Sequence, residues 1–210
     1  MKVAMIEVPS YSENIYLYYD EDTKKGIIID IGKDMKELDE YINEKDINLV
    51  GIFLTHGHYD HIGGVESFKE RHNLKIYSHK DEKEVTSNPD YNISSMRLRK
   101  HISFVADELL DDGEVVDFGE FKIEVLHTKG HTVGSCCFLD RENKIVFTGD
   151  TMFKENYGRI DLPTSSNDIG DSIKNKLFVL DDDTKVYPGH GGSSLISHEK
   201  EYNPIVRFKK

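Results

Sequence analysis

An unbroken apolar run, Leu49–Leu54, leads directly into Thr55-His56-Gly57-His58-Tyr59-Asp60-His61-Ile62-Gly63-Gly64. A continuous apolar run of this kind marks a strand buried on both faces. The segment after it puts three histidines and one aspartate within six residues, in a glycine-containing turn with no periodicity that would bury them. Imidazole and carboxylate are the donors that hold zinc, iron or manganese, and a loop anchored by a strand can aim several at one point. A chain built this way must set a buried sheet behind a polar, ligand-rich edge.

The same grammar recurs three times. His131 follows the predicted strand Phe121–His127 within His127-Thr128-Lys129-Gly130-His131-Thr132-Val133-Gly134-Ser135. Asp150 ends Val146-Phe147-Thr148-Gly149-Asp150, and His190 lies in Val186-Tyr187-Pro188-Gly189-His190-Gly191. Each reads apolar strand, glycine, ligand. Glycine there lets the backbone turn sharply and present the next side chain at the sheet edge.

Around these loops the chain reads as two strand-rich halves. Val3–Val8, Asn14–Tyr19 and Gly26–Asp30 are predicted strands, with Asp20–Lys25 as a hairpin turn. Met35, Leu38 and Ile42 recur at helical spacing and predict an amphipathic helix over Lys33–Glu44. A helix over Val65–His72 and a short strand Lys75–Tyr77 follow, and then Lys80–Phe104 shows only a weak pattern around the turn cluster Ser87-Asn88-Pro89-Asp90. The second half predicts strands Val115–Phe118, Phe121–His127, Ser135–Leu139, Lys144–Phe147 and Lys185–Tyr187, with helices over Asp168–Leu180 and Leu195–Tyr202. Two such halves imply an α/β sandwich of two mixed sheets packed face to face with helices outside.

Composition narrows the function classes. Lys+Arg number 27 against 39 Asp+Glu, a net charge of −12 that would repel a phosphate backbone and excludes nucleic acid as the expected partner. No run approaches the roughly 18 apolar residues of a membrane span, and no secretory segment is visible, so a cytoplasmic protein without a membrane partner is expected. Cys136 and Cys137, the two cysteines, are adjacent and read as small apolar residues of a buried strand. Of the ten histidines, His72, His79, His101 and His198 have no partner at meaningful spacing and are expected to be solvated. His127 reads equally as a donor behind a metal ligand or as a plain strand end.

Taken together, these motifs resemble the metallo-β-lactamase superfamily, and within it the glyoxalase II (hydroxyacylglutathione hydrolase) branch. Supporting segments are Leu110-Asp111-Asp112-Gly113, Gly158-Arg159-Ile160-Asp161-Leu162-Pro163 and Glu199 through Asn203-Pro204, so the likeness runs essentially end to end. Lys129 stands where the family usually has proline. The resemblance implies an αβ/βα sandwich in one domain, residues 1–210, without the C-terminal helical domain that holds glutathione in the eukaryotic enzyme. It implies two divalent transition-metal ions, zinc foremost with iron or manganese as alternatives. His56, His58 and His131 would hold one ion and Asp60, His61 and His190 the other, with Asp150 bridging. Asp60 and Asp150 would also act in catalysis.

The reaction implied is hydrolysis of a small-molecule thioester by metal-bound hydroxide. The obvious carboxylates are used as ligands, so a leaving group that departs without a proton suits the site, and a thiol ionises near pKa ~8.5. B1-type β-lactamases carry Cys where Asp150 stands, which argues against antibiotic hydrolysis. Flavodiiron proteins carry Glu in place of His58, and nuclease branches are opposed by the charge. Lactonases share the ligand set. The nearest rival is persulfide dioxygenase, with one iron on His56, His131 and Asp150. Substrate contacts are expected from Lys154, Tyr157 and Arg159 in the loop after Asp150, with Arg159 pairing Asp161 to brace the turn as the alternative. In that case recognition falls to the stretch around Asp90–Ser95. The basic tail Arg207–Lys210 reads as a solvated terminus. The thiol's identity and the oligomeric state stay open.

Overall fold

The structure, a computed structural model, describes residues 1–207. The last three residues of the basic tail lie outside them. Two six-stranded sheets pack face to face. The first runs in the order β1 (Lys2–Val8), β2 (Glu13–Tyr19), β3 (Lys25–Ile29), β4 (Asn48–Leu54), β5 (Ile76–His79) and β6 (Glu108–Leu110). It is antiparallel through β3 and parallel from β3 to β6. The second contains β7 (Val115–Asp117), β8 (Lys122–His127), β9 (Cys136–Asp140), β10 (Ile145–Gly149), β13 (Lys185–Pro188) and β14 (Ser194–Leu195), ordered β14-β13-β10-β9-β8-β7. A small hairpin, β11 (Met152–Phe153) with β12 (Asn156–Tyr157), stands apart.

Side-chain alternation along the strands sorts the apolar residues into layers. Tyr16, Tyr18, Ile27, Ile29 and Phe53 face Ile123, Val125, Phe138 and Phe147 across the sandwich. Phe53 meets Phe138 edge-on at 5.1 Å between ring centroids. The two core phenols are satisfied, Tyr16 donating to the Pro188 carbonyl at 2.7 Å and Tyr18 to Asp140 Oδ2 at 2.7 Å. On the other side of the first sheet, Ile15, Leu17, Ile28, Ile52 and Leu54 pack under Leu38 and Ile42 of α1 (Lys36–Lys45) and Val65 and Phe68 of α3 (Val65–His72). Beneath the second sheet, Leu126, Cys137, Leu139, Val146 and Val186 pack on Ile169 of α6 (Ile169–Ser172), on Ile173 and Leu177, and on Ile196 of α7 (Ile196–Tyr202).

Three short helices line the edge that the ligand loops share: α2 (Tyr59–Ile62), α4 (Lys83–Ser87) and α5 (Ser94–Arg97). The helix predicted over Asp168–Leu180 opens into a π-helical turn at Ile173–Leu177, where Phe178 N–H donates to the Ile173 carbonyl at 2.9 Å. Widening the turn keeps both Ile173 and Leu177 against the second sheet. Both cysteines are fully buried in β9. No described helix is long and apolar enough to cross a membrane.

Candidate metal centre

Four strands end at one edge of the sandwich and deliver the seven candidate ligands. His56 and His58 follow β4, and Asp60 and His61 ride on α2. His131 lies in the loop after β8, Asp150 directly after β10 and His190 after β13. The glycines expected before the ligands act in two ways. Gly149 takes a left-handed φ of 47°, closed to most side chains. At Gly189 any Cβ would sit 2.4 Å from Asp150 Oδ1 and 2.7 Å from the His61 ring, so only glycine allows this loop to approach.

The donors fall into two groups, His56–His58–His131 and Asp60–His61–His190, each with ligand atoms within 4.8 Å of one another. Asp150 stands between them with its oxygens divided. Oδ2 lies 3.5 Å from His131 Nε2, while Oδ1 lies 3.3 Å from His61 Nε2 and 3.6 Å from His190 Nε2. Nitrogen donors on a tetrahedral zinc, each ~2.0–2.1 Å from the ion, would be separated by about 3.3 Å. His58 Nδ1 to His131 Nε2 measures 2.9 Å and His61 Nε2 to His190 Nε2 3.2 Å. The spacing fits a shared cation.

Hydrogen bonds behind the ring of donors fix the tautomers. His61 Nδ1–H donates to Asp30 Oδ2 at 2.9 Å, His131 Nδ1–H to the Arg159 carbonyl at 2.9 Å and His190 Nδ1–H to the Ser12 carbonyl at 2.8 Å. In all three, Nε2 is the nitrogen that faces the site. The Thr55 hydroxyl donates to Asp30 at 2.6 Å, so His56 Nδ1–H donates to Thr55 Oγ1 at 3.2 Å. That leaves His56 Nε2 buried without a partner, as is Asp150 Oδ1. Orphaned buried acceptors are costly unless a cation satisfies them.

For His56, His58 and His131 the electrostatics point the same way. Burial, then the neighbouring imidazoles, hold His56 and His58 well below the usual histidine range, and burial lowers His131. These rings are neutral and can offer lone pairs. Burial pushes His61 down as well, but the Asp150 and Asp30 carboxylates outweigh it and raise the ring well above its ordinary value. Burial pushes Asp150 up, yet His61, His131 and His190 hold it well below the carboxylate range.

Three carboxylates that the sequence did not announce support this arrangement. Asp30 grips both Thr55 and His61. Glu82, fully buried, accepts from Gly57 N–H at 2.7 Å, Thr132 Oγ1 at 2.8 Å and Gly134 N–H at 2.9 Å, and so clamps the His56–His58 loop to the His131 loop. Glu13 is buried beside Gly32, Asp60 and His61, and its burial raises it well above the ordinary carboxylate value. None has a ligand-like motif around it. The nearest sequence signal is a charged residue at the end of an apolar or helical segment.

A cavity of about 490 Å³ opens over the donors. Arg159 lines it, but Lys154 lines a separate recess with Lys185, Tyr187 and His198, and Tyr157 packs against the apolar cluster around Met152 and Ile205. Arg159 also pairs with Asp161 through two contacts of 2.9 Å. From the 80–104 stretch, Ile93, Met96 and Arg97 reach the cavity wall.

The expectation of solvated histidines is corrected at His79. It is buried and stacked on His127 at 3.9 Å between centroids, with its Nδ1 accepting from Asp81 N–H at 3.3 Å. Sequence spacing could not show that β5 and β8 end side by side. With Asp81 these rings form a further donor group, but the planes are only 18° apart, so their lone pairs run parallel and do not converge. His127 donates its Nε2–H to the Val133 carbonyl at 2.9 Å. His72 lies 2.6 Å from Asp39 and His198 2.9 Å from Glu155, each half-buried, whereas His101 is exposed.

A family model of the metallo-β-lactamase superfamily matches residues 9–190. The chain belongs to that superfamily. It is 34% identical over 212 residues to hydroxyacylglutathione hydrolase GloC of Haemophilus influenzae, covering 100% of each chain. Among solved structures it is similar to BLEG-1, a B3 metallo-β-lactamase, with a TM-score of 0.92, 30% identity and coverage of 99% of this chain and 100% of that one. It is similar also to TTHA1623 in a di-iron-bound form, with a TM-score of 0.83 at 29% identity over 96% and 99% of the two chains. The two-sheet sandwich is this superfamily's fold, and its His/Asp clusters are able to hold metal.

Proposed function

We propose that this protein is a dinuclear metal-dependent hydrolase acting on thioesters. The observation that carries the reading is the divided Asp150 carboxylate, one oxygen toward His131 and the other toward His61 and His190. A carboxylate so placed is suited to two ions, and the di-iron form of TTHA1623 supports the count. His56, His58 and His131 would hold one ion, Asp60, His61 and His190 the other, with zinc as the first expectation. Such a pair supplies a water of lowered pKa and a Lewis acid for the carbonyl.

The chain's own groups support the substrate class. Asp150 and Asp60 fix charge at the donors, and Asp60, on the cavity wall, would accept a hydrogen bond from the attacking water. Apart from the candidate ligands, the titratable side chains on the cavity wall are Tyr59, Arg97 and Arg159. Burial pushes the Tyr59 phenol up, and guanidinium does not surrender its proton near neutrality. Apart from the candidate ligands, no carboxylic acid or imidazole lines the described wall to protonate a departing amine or alcoholate. A thiolate needs no such donor. The relationship to GloC supports the same choice.

The likeness to BLEG-1 favours a second reading, β-lactam hydrolysis, and the expected rival is a mononuclear iron dioxygenase. One anaerobic assay of metal-loaded protein separates them, using a hydroxyacyl-glutathione thioester, a lactone, a penicillin and glutathione persulfide. Thioester turnover without oxygen is the expected result. Turnover confined to the penicillin, or to the persulfide once oxygen is admitted, would overturn the proposal.

A further inference from the structure

The wall of the donor cavity includes two arginines in unequal states. Arg159 is already neutralised by its two-point contact with Asp161. Arg97 has no hydrogen bond or ion pair among the described residues, in a chain of net charge −12. Its helix, α5, is held rigidly. Asn92, buried beneath it, donates to the Ile102 carbonyl at 2.9 Å and accepts from Ser94 N–H at 3.0 Å, and Ser94 Oγ accepts from Ile102 N–H at 2.9 Å. Ile93, just before the helix, is forced to a φ of 66°, which a β-branched residue adopts only when its surroundings impose it. The Asn92 carbonyl accepts from Tyr59 N–H at 2.9 Å, which ties this lobe to the residue before Asp60.

Resting on the hydrolase reading, we propose that Arg97 is the anion-binding residue of the site, taking a carboxylate on the thiol portion of the thioester. An exposed planar guanidinium without a described protein partner, carried on a backbone segment that is hydrogen-bonded to Tyr59, is suited to a carboxylate in bidentate contact. Ile93, Met96, Phe153 and Leu162 line the same cavity and offer apolar surface for the chain that joins the anion to the reacting carbonyl. Met96 is 71% exposed, a large apolar side chain standing free beside the arginine. Arg97 is a specificity residue here, and the reaction itself does not need it.

The test uses metal-loaded wild type and Arg97→Ala with one acyl group on three thiols: glutathione, which carries carboxylates, coenzyme A, which carries phosphates, and neutral N-acetylcysteamine. The expected result is a KM for the glutathione thioester raised about tenfold by Arg97→Ala, the value for a partly exposed charge-assisted contact, with kcat and the neutral thioester unchanged. Arg97→Lys should recover part of the loss, and Arg99→Ala, the same charge change on a different recess, should have no effect. A loss confined to the coenzyme A thioester would reassign the anion to phosphate and overturn the carboxylate claim. Equal losses on all three thiols would mean that Arg97 only shapes the lobe, and would overturn the proposal. If no thioester is hydrolysed, the hydrolase reading fails by itself. Calorimetric binding of free glutathione to the two proteins then still decides whether Arg97 holds a carboxylate: weaker binding to Arg97→Ala supports it, and equal binding overturns it.

Discussion

Replacing Glu82 by alanine should cut the tie between the two loops that carry His56, His58 and His131. The carboxylate is fully buried and serves three donors, Gly57 N–H, Thr132 Oγ1 and Gly134 N–H. The threonine hydroxyl keeps Ser135 Oγ at 2.7 Å as a partner, so two backbone N–H groups are stranded. A buried donor left without a partner costs about 1–3 kcal/mol, which puts the loss at about 2–6 kcal/mol. The cost also depends on pH, because burial raises Glu82 to about 7 against the opposing pull of Thr132, Gly57 and Gly134. A raised carboxyl contributes stability that is fully present below the unfolded-state value of 4.5 and is lost as pH climbs through 7. At about 1.4 kcal/mol per unit, that amounts to up to about 3 kcal/mol. Urea unfolding of metal-free wild type and Glu82→Ala should therefore give most of the difference at pH 5 and a smaller one at pH 8. A difference under about 1 kcal/mol at pH 5, or one that grows with pH, would refute the reasoning.

Four further substitutions probe the donors and their support. Asp150→Ala should deplete both metal positions, whereas His190→Ala should empty mainly the one it shares with Asp60 and His61; equal losses by elemental analysis would count against bridging. Asp60→Asn keeps the shape but removes the charge, so thioester turnover should fall further than metal content, and unchanged turnover would show that the carboxylate has no catalytic part. Asp30→Asn puts an amide N–H₂ against either His61 Nδ1–H or Thr55 N–H, both of which now donate to the carboxylate. Affinity for the second ion, read by chelator competition, should drop about 10–100-fold, and an unaltered affinity would remove Asp30 from the account.

Much of this was legible because it is written locally. Val65–His72 is a helix with the predicted bounds, since its apolar positions repeat at the helical period. The strands that end at ligand loops announce themselves as apolar runs closed by glycine. What escaped is non-local or short. Strands β6, β11, β12 and β14 have two or three residues each, too few for alternation to show, and are held by their neighbours. The expected contact residues followed chain proximity to Asp150, but the β11–β12 hairpin turns Lys154 away into another recess. Arg97 instead arrives from a stretch without periodicity, folded by Asn92 and Ser94 through side-chain bonds that no hydrophobic pattern reports. Asp30, Glu82 and the stacking of His79 on His127 likewise depend on which strand ends meet.

The central claim is that Asp150 joins two ions, and a crystal structure of metal-loaded protein with anomalous scattering recorded at the metal edge tests it directly. The account predicts two peaks of comparable height, one among His56, His58 and His131 and one among Asp60, His61 and His190, with an Asp150 oxygen on each. A single fully occupied peak held by His56, His131 and Asp150, with the other donors empty at saturating metal, would contradict it.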